Sequence, residues 1–260
     1  MKPDDCAVSG GPTLADEGAE ARRILGAVGQ DQLPLRLAGG TAFLLRCPHA
    51  QRPPLGRPHG DLDFVGLSRA AKRIQELFIR LGYTPNKRFN ALHGEERLLF
   101  SDEARGRDVD VIFDRFRMCH VIDLRERIEV DAATLPLVDL LICKMQVVQL
   151  NEKDVRDVQA MLLDFPVGSG DGDMINLDRL CRLLSNDWGL CHSVQINLER
   201  VRNATGGIGL TAEQEQRIQL QAEALLEALV RCPKSLRWTA RARIGERLPW
   251  YELPDEVEHD

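Results

Sequence analysis

The apolar positions along this chain change period several times, and each change marks an expected element. Leu35, Leu37 and Ala38 form a short apolar run that ends on Gly39 and Gly40, and Thr41 then opens 42–45 as the start of a helix. Upstream, Leu14, Ile24, Leu25 and Val28 supply the apolar side of a helix over 13–28, with Thr13 as its cap. Ile74, Leu77, Phe78 and Leu81 recur at helical spacing, which predicts a helix over 68–81 with Ser68 as N-cap and Gly82 as its stop. Residues 97–100 predict a short strand. In 107–114 the period drops to two: Val109, Val111 and Phe113 share one face, Asp108, Asp110 and Asp114 the other. A further short strand is expected over 128–130.

Helical periodicity then takes over. Thr134 lies near the cap of a helix whose first turn holds Pro136, where a missing N–H costs nothing. Leu137, Leu140, Leu141, Met145 and Val148 form its apolar face, with Lys144 among them. A second helix over 151–165 places Val155, Val158 and Leu162 opposite Lys153, Asp154 and Asp157. The Gly- and Asp-rich run 166–173 reads as a linker. Beyond it, helices are expected over 177–184, 190–201 and 213–230, the last with a capping box from Thr211 to Gln214 and a buried side of Ile218, Ala222, Leu225 and Leu229. The expected organisation is a loose tail over 1–12, an α/β (α+β) core over 13–165 with a mixed sheet flanked by helices, and a C-terminal helical domain over 174–260.

Composition narrows the class. The 260 residues allow one large domain or two modest ones, and 43% hydrophobic with 28% charged residues is ordinary for a globular protein. A net charge of −6 argues against a general nucleic-acid coat, although a local basic patch is compatible with it. The seven cysteines are scattered and form no Cys-x-x-Cys pair, which suits reduced thiols in a cytoplasm better than a disulfide framework or zinc site. There is neither an apolar leader after Lys2 nor a run long enough to span a bilayer, so a cytoplasmic protein without membrane attachment is expected.

The chemistry concentrates between 37 and 66. Glycine lets a bulky anion approach the main chain, and a helix N-terminus beyond Gly39-Gly40-Thr41 adds free N–H donors, so a phosphate suits that turn. Some twenty residues later Asp61 and Asp63 flank Leu62. On a strand both carboxylates point the same way, which is costly unless a cation neutralises them. Hard oxygen ligands select Mg²⁺ or Mn²⁺. The intervening insert holds Pro48, Pro53, Pro54 and Pro58, which forbid regular structure. Its Arg46, Arg52, Arg57, His49 and His59 form either a solvated loop or, at Arg57 and His59, phosphate contacts. Three carboxylates on the 107–114 face read either as an edge strand with a wet side or as chemistry. Lys144 either snorkels to water or serves a site. Between 231 and 247, Arg231, Lys234, Arg237, Arg241, Arg243 and Arg247 surround Trp238 against the single acid Glu246. That is the footprint of a nucleic-acid backbone contact, or a solvated basic helix that balances the acidic terminus (Glu252, Asp255, Glu256, Glu258, Asp260).

Leu-Ala-Gly-Gly-Thr-Ala followed by Asp-Leu-Asp-Phe resembles the signature of the nucleotidyltransferase fold, and in particular the nucleotidyl transferase AbiEii/AbiGii toxin family. The likeness covers about 33–165, although the insert is longer and richer in proline than that family usually shows. The resemblance implies a nucleoside triphosphate held by Gly39, Gly40 and Thr41, a divalent metal on Asp61 and Asp63, and a third carboxylate on the 107–114 strand. Asp110 is the best match there, with Asp108 as fallback. Leu-Leu-Ile-Cys-Lys-Met-Gln and Glu-Lys-Asp-Val-Arg-Asp look like the family's lysine helix and the helix after it. Lys144 is thereby implied on the phosphates, with Lys153, Asp154 and Asp157 near the site or bracing Lys144. The activity implied is transfer of a nucleotide to an RNA or protein hydroxyl, in company with a cognate antitoxin. An aminoglycoside-type small-molecule transferase and a non-catalytic nucleotide-binding module are the alternatives.

Overall fold

In the computed structural model residues 12–253 are described. The expected tail, Pro12 apart, lies outside them, as does most of the acidic terminus. The fold is mixed α/β, as expected. Among the described residues, contacts divide the chain into two compact units: 12–41, 58–115 and 125–135 form one, and 42–57, 116–124 and 136–253 form the other.

The first unit is built on helix α1 (Glu17–Gln30) and strand β1 (Leu35–Leu37), after which helix α2 (Gly39–Arg46) begins. Strand β2 (Leu62–Gly66), helix α3 (Ala71–Arg80), strand β3 (Thr84–Pro85), helix α4 (Lys87–His93), and strands β4 (Arg97–Asp102) and β5 (Arg107–Phe113) complete it. The five strands form one mixed sheet in the order β1-β2-β5-β4-β3. Only β2 and β5 run parallel; the other pairs are antiparallel. Past the edge strand, Leu37 N–H donates to the Ala133 carbonyl (2.9 Å) and Leu135 N–H to the Leu37 carbonyl (3.0 Å).

Register sorts the side chains onto two faces. On the buried face Leu62 opposes Val109, Phe64 opposes Val111, and β4 adds Leu98 and Phe100. Helix α3 covers this face with Phe78, whose ring meets Phe64 edge-on at 5.6 Å and stacks on Phe100 at 4.8 Å. On the other face Arg36, Val65, Ile112 and Arg97 form one cross-strand row, and Ala38, Asp63, Asp110 and Leu99 the next. The apolar period thus specifies one face, and the other mixes apolar Val65, Ile112 and Leu99 with the charged Arg36, Asp63, Asp110 and Arg97.

Some local expectations change. Helix α1 is capped by Asp16, whose carboxylate accepts from Ala19 N–H (2.7 Å), while Thr13 is buried ahead of it. Ser68 does not cap α3, because both its N–H and its hydroxyl are taken by the Asp114 carboxylate (3.1 and 2.6 Å). That contact lets the chain enter α3 through a short 3-10 turn, Ser68–Ala70. No strand forms over 128–130, where the chain turns instead.

The second unit holds the small β6 (Arg115–Arg117) and β7 (Val121–Asp123) pair, which begins at the unit boundary, and then helices α5 (Leu137–Met145) and α6 (Glu152–Asp164). The run expected as a plain linker carries β8 (Val167–Gly168), which pairs in parallel with β9 (Ile175–Asn176). Helices α7 (Leu177–Leu184), α8 (Trp188–Asn203), α9 (Ala212–Arg231) and α10 (Leu236–Ile244) follow, and the Thr211–Gln214 capping box is present. Pro136 stands at the N-cap of α5 with no side-chain cap, since the Thr134 hydroxyl donates to the Leu135 carbonyl (2.8 Å).

The compact units do not divide at 166–173, because α5 and α6 are bound to α8. Buried Asn197 donates to the Met145 and Val147 carbonyls (both 2.8 Å), and buried Gln159 to the Val201 and Ala204 carbonyls (3.3 and 3.1 Å). Such bonds satisfy helix-end carbonyls that have no partner within their own helix. Cys181 and Cys232 form a disulfide across α7 and the end of α9, against the expectation of reduced thiols throughout; Cys47, Cys119, Cys143 and Cys191 are free and buried. Among the described residues no helix is long and apolar enough to cross a membrane.

Phe78 is fully buried at the centre of the aromatic group. Replacing it with alanine is expected to cost about 3–5 kcal/mol, read as a lowered urea midpoint.

Candidate functional site

Strand β1 delivers the chain to Gly39 with its register fixed at the turn itself. Ala38 N–H donates to the Asp63 carbonyl (2.8 Å), and the buried Thr41 hydroxyl donates to the Asp61 carbonyl (3.1 Å). The start of α2 is therefore stitched to the segment that carries both aspartates. Gly39 has φ of +58°, and a Cβ built there would lie 1.8 Å from Oδ2 of Asp63. Glycine is required twice over at this position, by backbone conformation and by a carboxylate lying against its Cα. The helix of the sequence reading starts earlier than expected, at Gly39 itself. The Asp63 carboxylate thus lies against the first residue of a helix, where the backbone dipole favours negative charge.

Asp63 on β2 and Asp110 on β5 are register partners in the parallel pair. Their side chains leave the same face of the sheet, one strand spacing apart. Asp61 precedes β2 and is exposed. Asp108 is also exposed and pairs in register with Ser101. Of the three expected carboxylates the sheet pairs Asp63 with Asp110, while Asp61 lies ahead of the strand expected to align it with Asp63; oxygen donors of this kind suit Mg²⁺ or Mn²⁺.

A guanidinium is already there. Arg97 Nε donates to Asp110 Oδ1 (2.8 Å) and Nη2 to Oδ2 (2.6 Å), a two-pronged pair that is partly buried. Burial pulls the Arg97 pKa down, but Asp110, with a smaller contribution from Asp63, outweighs it and leaves the pKa above its ordinary value. Arg97 also lies 5.9 Å over the Phe89 ring of α4. Among the described residues no three His, Cys, Asp or Glu side chains converge into a metal site. With Arg97 on Asp110, the charge of that carboxylate is offset from within the chain. The sequence carries no mark of Arg97 beyond its place at the head of a strand; only the β4–β5 register puts it diagonally beside Asp110.

In the second unit Lys144 stands on α5 with its ammonium 2.5 Å from Asp154 and 3.2 Å from Asp157. Burial lowers the Lys144 pKa, and the two carboxylates more than reverse that, so it lies above its ordinary value. Buried Asp157 also receives both prongs of Arg57 (2.9 and 2.6 Å). Two cations and two carboxylates close a balanced cluster. Arg57, expected either in solvent or on phosphate, is spent on Asp157 here. Asp154 and Asp157 brace Lys144, while Lys153, one residue from Asp154, is exposed. His49 is engaged as well: its Nδ1 lies 2.5 Å from Asp164 Oδ1, and its main-chain N–H donates to Oδ2 (2.9 Å). His59 is buried.

The basic 231–247 segment divides. Arg231 pairs with Glu227 (2.7 Å), Lys234 donates to the Leu229 carbonyl and lies over Trp238, and Arg241 donates to the Gly245, Leu248 and Pro249 carbonyls. Arg237, Arg243 and Arg247 are exposed. Trp250 donates to the Ser193 hydroxyl (3.2 Å), which fastens the last described turn to α8.

No protein family and no curated protein sequence matches the chain. Among solved structures, the chain is similar to the antibiotic-resistance factor ANT(2'')-Ia, a solution structure described as revealing substrate-regulated conformation dynamics. The match has 13% identity over 89% of this chain and 94% of that one, with a TM-score of 0.34. At that score nothing about this chain's chemistry rests on the match.

Removing Lys144's partners tests the buried cluster. Asp157→Asn removes the buried carboxylate that receives both Arg57 and Lys144, and is expected to destabilise by about 3–5 kcal/mol in a urea titration. The pH dependence has a definite sign. Because the folded pKa of Lys144 is raised above 10.5, its contribution is complete below that value and is lost as pH rises through the folded pKa. Lys144→Met is therefore expected to flatten the alkaline limb of the urea midpoint plotted against pH.

Proposed function

We propose that this chain is a divalent-metal-dependent nucleotidyltransferase that moves a nucleoside monophosphate from a nucleoside triphosphate to an acceptor hydroxyl. The observation that carries the reading is the placement of Asp63 and Asp110 side by side on parallel strands, with the Asp63 carboxylate against Gly39 at the start of a helix. A phosphate cradle and paired carboxylates in one unit are what transfer between phosphates and hydroxyls requires.

In this reading Asp61 and Asp63 hold Mg²⁺ or Mn²⁺, with Asp110 as a further ligand or as the base for the acceptor hydroxyl. When bound, the metal neutralises charge on the triphosphate. Gly39, Gly40 and Thr41 present the turn and helix start to the β- and γ-phosphates. The acceptor oxygen forms a bond to the α-phosphorus, the bond to pyrophosphate breaks, and the hydroxyl proton leaves to base. Asp110 takes part only when Arg97 releases it. Lys144 on the phosphates, with Lys153 and Asp157 beside them, enters through the family resemblance. Asp157 already has Arg57 and Lys144 as partners, which favours a bracing role for it.

The acceptor in this proposal is RNA or protein. Exposed Arg237, Arg243 and Arg247 support the RNA, and a cognate antitoxin enters through the resemblance alone. The proposed setting is cytoplasmic: the free buried thiols support it, and the Cys181–Cys232 bond weighs against it. A second reading, a nucleotide-binding module without turnover, is favoured by one observation: the two-pronged hold of Arg97 on Asp110.

Incubation with each labelled nucleoside triphosphate, Mg²⁺ and total RNA or an aminoglycoside is expected to label the RNA or the protein. Label on the aminoglycoside instead identifies a small-molecule acceptor, and nucleotide binding without any transfer identifies the module. Asp61→Asn is expected to cut transfer by at least about 10²-fold with an unchanged circular dichroism spectrum. Retained activity in that folded variant sinks the assignment. In an Mn²⁺ titration Arg97→Gln is expected to bind the ion more tightly than the unaltered chain, since a competing cation has been removed.

A further inference from the structure

A cavity of about 610 Å³ opens in the first unit where α1 ends, β1 begins and α3 begins. It lies toward the other end of the β1–β2 pair from Gly39 and Asp61, and the roles proposed above leave it without a task. Its charged lining is Arg36, Arg69, Arg73 and Glu129.

The hydrogen bonding of these groups is lopsided. Arg36 projects from the middle of β1 between buried Leu35 and Leu37, and is itself half-buried. Its guanidinium donates to three main-chain carbonyls: Leu33 (3.3 Å), Leu35 (2.7 Å) and Asp131. Arg73 donates to the Asp31 carbonyl (2.6 Å). Among the described residues neither arginine has a hydrogen bond to a carboxylate.

The nearby acids are committed elsewhere. The Asp31 carboxylate takes Arg80 (2.5 Å), and Glu129 takes Arg69 (2.9 Å) at the exposed rim. The Asp131 carboxylate accepts from Ala133 and Thr134 N–H (2.8 and 3.1 Å). Carbonyl oxygens satisfy guanidinium donors without cancelling the charge. Burial lowers the pKa of Arg36, and Asp131 and Glu129 only partly offset it, as expected for a desolvated cation without a bonded counter-charge. Nη2 of Arg36 makes no hydrogen bond among the described residues.

We infer that this cavity is a binding site for a phosphate group, with Arg36 as its floor and Arg73 and Arg69 at its rim. Guanidinium forks match the oxygens of a phosphate in pairs, and a partly enclosed cavity strengthens the attraction. The space is large enough for a small phosphorylated molecule as well as for the free ion. The inference does not depend on the nucleotidyltransferase reading.

The test is calorimetric titration of the full chain with inorganic phosphate and with glycerol 3-phosphate at low salt, beside Arg73→Glu and Arg36→Gln. Arg73 is exposed, so its replacement leaves the core intact. Saturable binding that weakens on the order of tenfold or more in Arg73→Glu is expected. Tighter binding of the ester identifies a phosphorylated small molecule, and equal binding identifies the phosphate group alone. Absence of saturable binding overturns the inference. So does binding that Arg73→Glu leaves unchanged, because the phosphate is then held elsewhere, as at the Gly39 turn. Arg36→Gln is expected to weaken binding further; if that variant does not fold, Arg73→Glu alone decides.

Discussion

Two carboxylates on adjacent strands of one sheet face set the terms for the first unit. Asp63 and Asp110 repel each other wherever the sheet is formed, because the parallel register holds them together. The chain answers with position more than with distance. A helix begins against Asp63, and Arg97 clasps Asp110 from the next strand. Hydrophobic burial on the opposite face, where Phe78 closes over Phe64 and Phe100, keeps the strands in that register despite the charge. The polar face is therefore maintained by the apolar one.

The second unit handles charge differently. Arg57, Lys144, Asp154 and Asp157 pair with one another in a largely buried cluster of two cations and two carboxylates. A buried balanced cluster is rigid and specific, because removing any member leaves a charge without compensation. The Arg97–Asp110 pair is smaller and more exposed, hence the easier of the two to open. The contrast separates a scaffold from a place where chemistry fits.

Much of this was legible in sequence. Alternation over 107–114 placed Val109, Val111 and Phe113 inside and Asp110 outside, because a period of two admits one assignment once one face is buried. The helices around Lys144 and after Thr211 followed from spacing and capping chemistry. Partners distant along the chain were not legible. Arg97 meets Asp110, and Arg57 meets Asp157 a hundred residues away, through register and packing that local pattern does not encode. Ser68 had every local mark of a cap, yet Asp114 claims it from across the unit. The Gly39–Gly40 turn and the aspartates after it could be located by spacing. Which cation stands on the third carboxylate could not.

Gly39 carries a consequence for how the protein can change over time. Its backbone angle and its contact with Asp63 exclude a side chain for separate reasons. Shortening residue 63 removes the collision and leaves the unfavourable φ, so no single compensating change restores tolerance at 39. Positions 39 and 63 are thus epistatic in one direction only: a lost glycine is not rescued by altering its neighbour, while the aspartate can be varied with the glycine kept. A lineage that abandons the carboxylate can retain the turn, but one that abandons the turn forfeits the placement of the carboxylate as well.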